Sequence, residues 1–318
     1  MNGDQAGGSS DAPPGRIAIF GPSPMLSVTI EARGEGRDEV HCHPAGQGVW
    51  LGRMAGELGA WPVLCSLIGG ETGFLLEPLL ERLPGELRLV RSDSSTGCYV
   101  TDRRSGERRV LAQAYVDAPS RHAADELVAA TTAAALESDV LAICNPYPGD
   151  AMPLDCYGAL VANAKAAGVR VVADLSSPRI EATAAAGPEL VKLNDWELAG
   201  YVKGPVDTPE RLRAAAERLR DLGAANVLVT RAGDPALVLL GDQACELAPP
   251  AFEVGSREGC GDTMMGAIAA QLAHGTDLPE ALVCGAAAGA VNFLHHGLGT
   301  GSRREVEELT AEVELRPI

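Results

Sequence analysis

Short apolar runs alternate with stretches of helical periodicity along most of this chain, and that alternation constrains the fold more than any other feature. "RIAIF" (16–20), "PVLCSLIG" (62–69), "DVLAIC" (139–144), "VRVVADL" (169–175) and "NVLVT" (226–230) read as buried strands. Between them fall 46–59, 122–137, 153–168 and 208–223, where apolar residues recur at helical spacing. Leu51, Met54, Ala55 and Leu58, for example, stand at i, i+3, i+4 and i+7. Strands interleaved with helices in this way predict an α/β domain, a mainly parallel sheet with helices on both faces. The chain has 318 residues, ample for one such domain with a large core.

Two segments interrupt the alternation. Residues 27–44 and 97–112 read as antiparallel hairpins with polar, glycine-bearing turns, and they predict a small side sheet, or lid. Residues 1–15 are polar and rich in Gly, Ser and Pro, with no apolar stretch of the signal-peptide kind. They read as a disordered tail before a single domain spanning 16–318. The formal net charge is −17 and the only lysines are Lys165, Lys192 and Lys203, which argues against binding to nucleic acid or anionic membranes. Eight cysteines are scattered without a CxxC pair, mostly inside apolar runs, which points to reduced core cysteine and a cytoplasmic setting.

The chemistry concentrates in "GSREGCGDTMMGAIAAQL" (255–272). Asp262 follows Gly259, Cys260 and Gly261 at the start of an amphipathic helix whose apolar stripe is Met265, Ile268, Ala269 and Leu272. One reading makes Asp262 a helix cap. The other makes the amides an anion hole, because glycine lets backbone approach an anion closely and the helix dipole attracts it. Beside such a hole, Asp262 would accept the proton of an attacking hydroxyl during phosphoryl transfer. In "VKLNDWEL" (191–198), Asn194 and Glu197 stand three residues apart. They suit either Mg2+ held through water near a triphosphate or a capping pair. Thr230 to Gly233, a polar turn between apolar strands, is a phosphate-side loop or only a hairpin turn.

Taken in order, these motifs resemble the ribokinase-like carbohydrate kinases, the PfkB family, and within it the 1-phosphofructokinase and tagatose-6-phosphate kinase branch. The resemblance rests on "GPSPMLSVTI", "PAGQGVWLGRMAGELGA", "LIGGETG", "VKLNDWEL", "GCGD" and "GLGTGSRREVEEL", over roughly residues 16 to 310. It implies a three-layer α/β/α fold with a small β-sheet lid that often serves as a homodimer surface. It implies an ATP-dependent kinase acting on a hydroxyl of a sugar, sugar phosphate or sugar-like metabolite. Asp262 would be the general base, with the amides of Gly259, Cys260 and Gly261 as anion hole. Asn194 and Glu197 would lie on the Mg–ATP side, and Thr230 and Gly233 near the nucleotide phosphates. Asn292 would lie near adenine; its alternative is the surface of a helix packed by Val291 and Leu294.

The acceptor half departs from that family pattern. Ser23, Pro24 and Ser27 stand where the branch has Asn-Pro and an Asp. Gln47 replaces a lysine that meets a substrate phosphate, and Trp50 an asparagine that touches the sugar. A neutral amide cannot balance a phosphate dianion. Either Arg53 or the lid arginines Arg103, Arg104, Arg108 and Arg109 supply the charge, or the substrate is no sugar phosphate, which is the favoured expectation. Acceptor contacts are expected from Ser27, His43, Gly46, Gln47, Trp50 and Asn145. Core packing is the alternative for Trp50, and a bystander role for His41 and His43. A non-catalytic, metabolite-binding regulator is the competing function. A dinucleotide-binding dehydrogenase is excluded, because the first strand runs into "FGPSPMLS" without GxGxxG.

Overall fold

In the computed structural model, the residues described are 15–34, 36–115, 117–147, 151–295 and 297–318. The expected tail lies outside them, apart from Gly15. The chain opens with β1 (Arg16–Phe20), the hairpin β2 (Met25–Gly34) and β3 (Arg37–Ala45), α1 (Gln47–Glu57), β4 (Trp61–Ile68), α2 (Gly70–Leu80) and β5 (Glu86–Arg91). A second hairpin, β6 (Gly97–Asp102) and β7 (Arg109–Ala114), precedes α3 (Arg121–Leu136), β8 (Val140–Cys144), α4 (Asp155–Ala166), β9 (Arg170–Asp174) and α5 (Arg179–Ala185). Then come β10 (Leu190–Asn194), α6 (Asp195–Val202), α7 (Pro209–Leu222), β11 (Asn226–Arg231), β12 (Asp234–Leu240) and β13 (Gln243–Ala248). Helices α8 (Cys260–Ala273), α9 (Leu278–Leu294) and α10 (Arg303–Thr310) lead to β14 (Glu314–Pro317).

Ten strands form the main sheet in the order β14-β13-β12-β11-β10-β9-β8-β1-β4-β5. From β11 to β5 every neighbour is parallel. The side chains of β1 show why these strands are apolar throughout. Ile17 and Ile19 enter one core layer, with α1, α8 and α9, while Ala18 and Phe20 enter the other, with α3, α4 and α7. The expected α/β fold with a mainly parallel sheet is therefore what forms. Its far edge differs: β12, β13 and β14 run antiparallel, which tight turns such as 241–242 permit and crossovers do not.

One local expectation is corrected. Helix α8 is not amphipathic: residues 263–270 and 272 are all buried, because the helix lies between α1 and α9 against the sheet.

The two hairpins join into a separate sheet, β3-β2-β6-β7. Register places His43, Ser27, Tyr99 and Gln113 in one row across it, and Ala45, Met25 and Gly97 in the next row on the same face. Met25, Ala45 and Tyr99 are buried, so this face turns toward the body of the molecule. All eight cysteines are unpaired thiols, five of them buried. Among the described residues, no helix is long and apolar enough to cross a membrane.

Candidate active site

Asp262 lies in the first turn of α8. Gly259 caps that helix at φ 75°, a left-handed conformation glycine enters without strain, and no side chain caps it. The capping reading of Asp262 therefore fails. The N–H groups of Gly261 and Asp262 meet no backbone acceptor among the described residues, so the start of α8 keeps donors available to a ligand. The Asp262 carboxylate is enclosed by protein while the residue keeps a partly open side. Burial, and next the Asp174 carboxylate, push its pKa up to about 7; Lys192 and the nearby Gln47 side chain pull the other way.

Lys192 and Asp174 were not singled out from the sequence. They are register neighbours on β10 and β9, both buried, with Lys192 Nζ 2.8 Å from Asp174 Oδ2. Burial alone would lower the pKa of Lys192; Asp174 and Asp262 outweigh it, and the net shift is upward. A Cβ on Gly261 would come 2.5 Å from Lys192 Nζ, so glycine lets the helix start lie close against the ammonium without displacing it. The sequence held a signal: a lysine inside the buried run "LVKLN" needs a partner.

Asn194 and Glu197 form the capping box of α6, with N–H to oxygen distances of 2.9 and 2.8 Å. One Glu197 oxygen stays outside this pair, and burial followed by Asp174 raises the pKa of the group. Thr230 sits beside Asn194 by register, and Gly233 lies in the β11–β12 hairpin turn, within reach of Arg257 from the loop before α8. The ends of β9, β10 and β11 thus gather Asp174, Lys192, Asn194 and Thr230 opposite the start of α8. Among the described residues no group of three or more His, Cys, Asp or Glu side chains could hold a metal ion unaided.

Asn292 is fully buried. Its Nδ2 donates to Glu258 O at 2.9 Å and contacts Cys260 Sγ at 3.4 Å, while its Oδ1 accepts from Gly299 N at 2.9 Å. The amide is occupied at both ends and ties the loop before α8 to the 297–300 segment. This corrects the surface alternative for Asn292; on α9 it is Leu294 that is exposed.

On the acceptor side, Gln47 opens α1 behind Gly46, whose φ is 113°. The Gln47 Oε1 accepts from Asn145 N at 2.6 Å, and the side chain lies close enough to Asp262 to pull the pKa of that carboxyl down. Asn145 Oδ1 in turn accepts from Ser176 N at 3.2 Å. Ser27 is buried and lies beside Tyr99 in register. Half-buried Trp50 packs on Met25, Ala45 and Tyr99, as its packing alternative anticipated. His43 stacks on His41 at 6.0 Å, and burial, then His41 and Arg53, lower its pKa. Arg53 donates to Leu298 O at 2.8 Å. Arg104 is held by Asp102 and Asp38. Arg108 lies 5.4 Å above the Tyr99 ring and pairs with Glu258 at 3.1 Å. A cavity of about 130 Å³ beside α3 and α4, lined by Arg121, Asp125 and Cys156 among others, shares no residue with this site.

The ATP-dependent 6-phosphofructokinase isozyme 2 of Escherichia coli is 28% identical over 308 residues, covering 93% of this chain and 98% of that protein. A 1-phosphofructokinase of Rhodobacter capsulatus is 27% identical, over 83% of this chain and 86% of its own length. The crystal structure of phosphofructokinase-2 from E. coli in complex with potassium superposes with a TM-score of 0.80 at 26% identity, over 93% of this chain and 98% of that one. A ribokinase from Thermotoga maritima, 20% identical with a TM-score of 0.73 over 93% of this chain and 99% of that one, shares the fold. Residues 31–305 match the description of the pfkB family carbohydrate kinases. With that match over most of its length, the chain belongs to the pfkB family and is an ATP-dependent carbohydrate kinase.

Proposed function

We propose that this enzyme transfers the γ-phosphoryl group of ATP to a hydroxyl of a sugar, sugar phosphate or sugar-like metabolite, with Asp262 as general base. One observation carries the reading. A carboxylate whose pKa lies near 7 stands beside uncommitted helix-start N–H groups and a buried ammonium. Asp262 takes the proton of the acceptor hydroxyl as its oxygen forms a bond to phosphorus and the bond to the ADP oxygen breaks. The N–H groups of Gly261 and Asp262, together with Lys192, stabilise charge on the phosphoryl oxygens in transit. Thr230 and Gly233 border the nucleotide phosphates.

Mg2+ is expected with the nucleotide, neutralising phosphate charge. Glu197, with one oxygen outside its capping pair, and Asn194 would hold it through water, and the lack of an all-protein cage suits an ion that borrows phosphate oxygens. Beyond Val28, which packs on the main core, the same face of the small sheet carries Ile30, Val100 and Val40, the last 62% exposed, and we read this part as a homodimer surface. The E. coli relative is known in a tetrameric inhibited form.

The direct test measures ATP consumption across hexoses, pentoses, their phosphates and nucleosides, with the Asp262→Asn protein as control. Turnover that survives in the control would remove Asp262 from the mechanism. Binding of an acceptor without any turnover would favour the metabolite-binding regulator.

A further inference from the structure

Arg179, the first residue of α5, is a cation buried without a counter-charge. It is 5% exposed, and Tyr157, Ile180 and Ala184 around it belong to the core layer on the opposite side of the sheet from α8. Its guanidinium stands 5.9 Å from the centroid of the Tyr157 ring, which Phe20 holds edge-on at 5.7 Å. A ring face attracts a cation but does not cancel its charge. The Arg179 Nε has no hydrogen-bond partner, and no carboxylate among the described residues pairs with the group.

The acids on the two helices packed here are committed elsewhere. Asp155, the one carboxylate of α4, is exposed and held by Arg121 of α3. Glu181, the one carboxylate of α5, comes two residues after Arg179, about 200° around the helix. Its Oε1 accepts from Ser177 Oγ at 2.9 Å. Lys192 supplies the contrast: that buried ammonium has Asp174 at 2.8 Å. Arginine stays charged at any working pH, and a buried charge without a partner is strongly unfavourable. Arg179 thus creates a demand for negative charge that its own chain does not meet.

Two hydroxyls extend the donor set. Tyr157 Oη on α4 and Thr183 Oγ1 on α5 are fully buried, and neither has a hydrogen-bond partner. Thr183 lies four residues after Arg179, on the same face of α5. The helices approach closely beside these residues, for a Cβ on Gly158 would come 3.3 Å from Ala182 O. Each hydroxyl can turn its hydrogen toward an acceptor. A water molecule would accept some of these bonds and leave the positive charge uncompensated. A small monovalent anion accepts from all three groups and neutralises the guanidinium. A phosphate dianion would exceed the single charge, and the close helix contact disfavours its bulk.

We propose that Arg179, Tyr157 and Thr183 form a buried binding site for a monovalent anion of halide size, separate from the phosphoryl-transfer site. Arg179 N donates to Ser176 O at 3.0 Å and Ser176 N to Asn145 Oδ1 at 3.2 Å, so the site borders the turn that supports Asn145.

The test is urea unfolding of the intact enzyme in chloride-free potassium gluconate and in potassium chloride at equal ionic strength. A ligand present at about 100 times its dissociation constant lowers the unfolding equilibrium constant about 100-fold, and the wild type should show at least a ~10-fold drop in chloride. Arg179→Met keeps most of the side-chain bulk and removes the charge, and there the drop should vanish. Tyr157→Phe removes only the hydroxyl and should shrink it. An equal drop in wild type and Arg179→Met is a general salt effect and overturns the proposal, as does no drop in wild type. A second measurement needs no variant. Crystals grown in bromide should show an anomalous peak against the Arg179 guanidinium, and a water molecule in that place rejects the site.

Discussion

Two regions meet at Asp262 and handle charge in opposite ways. Along the ends of β9 to β11, three buried or half-buried carboxylates (Asp174, Glu197 and Asp262) face one ammonium, Lys192, and helix-start N–H groups stand unused. The carboxylates hold charge that Lys192 does not cancel, which costs folding energy and attracts a cation, while the ammonium and the free N–H groups attract an anion. Across Asp262, beneath the small sheet, Arg108 is paired with Glu258, and Arg53, bonded to Leu298 O, brings a positive charge close enough to lower the pKa of His43. A neutral amide at Gln47 and an apolar floor stand beside them. The contrast teaches that one fold can set two different electrostatic environments on either side of a single carboxylate.

The sharpest way to break the comparison is Asp262→Asn. Turnover should fall about 10²- to 10⁴-fold, the range for losing a general base, while ATP binding measured by calorimetry stays. In wild type, kcat/KM should drop below an apparent pKa near 7, because the base must be unprotonated. Stability carries the opposite sign. Folding raises this carboxyl above its unfolded value near 4, so its contribution is present below pH ~4 and lost as pH rises through about 7. Asp262→Asn should remove that loss in urea unfolding at pH 8.

Lys192→Met tests the other half of the charged edge. It strands Asp174 as a buried carboxylate without its partner, and should destabilise the protein by about 3–5 kcal/mol in denaturant unfolding. A loss below about 1 kcal/mol would show that the pair is not desolvated.

On the acceptor side the effects should be smaller. Arg108→Ala removes an ion pair whose side chains are each 31% exposed, worth about 0–1 kcal/mol. Thermal unfolding should barely shift and acceptor KM should change less than about threefold; a tenfold rise would make Arg108 a substrate ligand. Smallest of all is Cys260→Ala. The thiol is held protonated by burial and its sulfur sits against Ser256 O and the Asn292 amide, so only its backbone is placed to act. Turnover should change less than about twofold, and a large loss would point to thiol chemistry.

Several of these groups were readable in the chain. Asp262 behind its glycines stood out because a helix start is a local object, written in adjacent residues. Asn194 and Glu197 were equally visible, and the capping box they form is just as local. Lys192 was overlooked although it interrupts an apolar strand; its partner Asp174 lies on a different strand, 18 residues away. Asn292 is buried where a surface position was the alternative, because burial of a polar side chain depends on which loop covers it.

What the amino-acid order determined by itself was periodic and short-range: strands buried on both faces, helices between them, two hairpins and an anion-seeking helix start. Only the tertiary structure decided which side chains meet across the cleft. The bond from Asn145 to Gln47, the Lys192–Asp174 pair and the ion pair of Arg108 with Glu258 join distant parts of the chain. Hydrogen bonds and ion pairs act over a few ångströms of space, and distance along the chain carries no record of that separation until the sheet has brought its strands together.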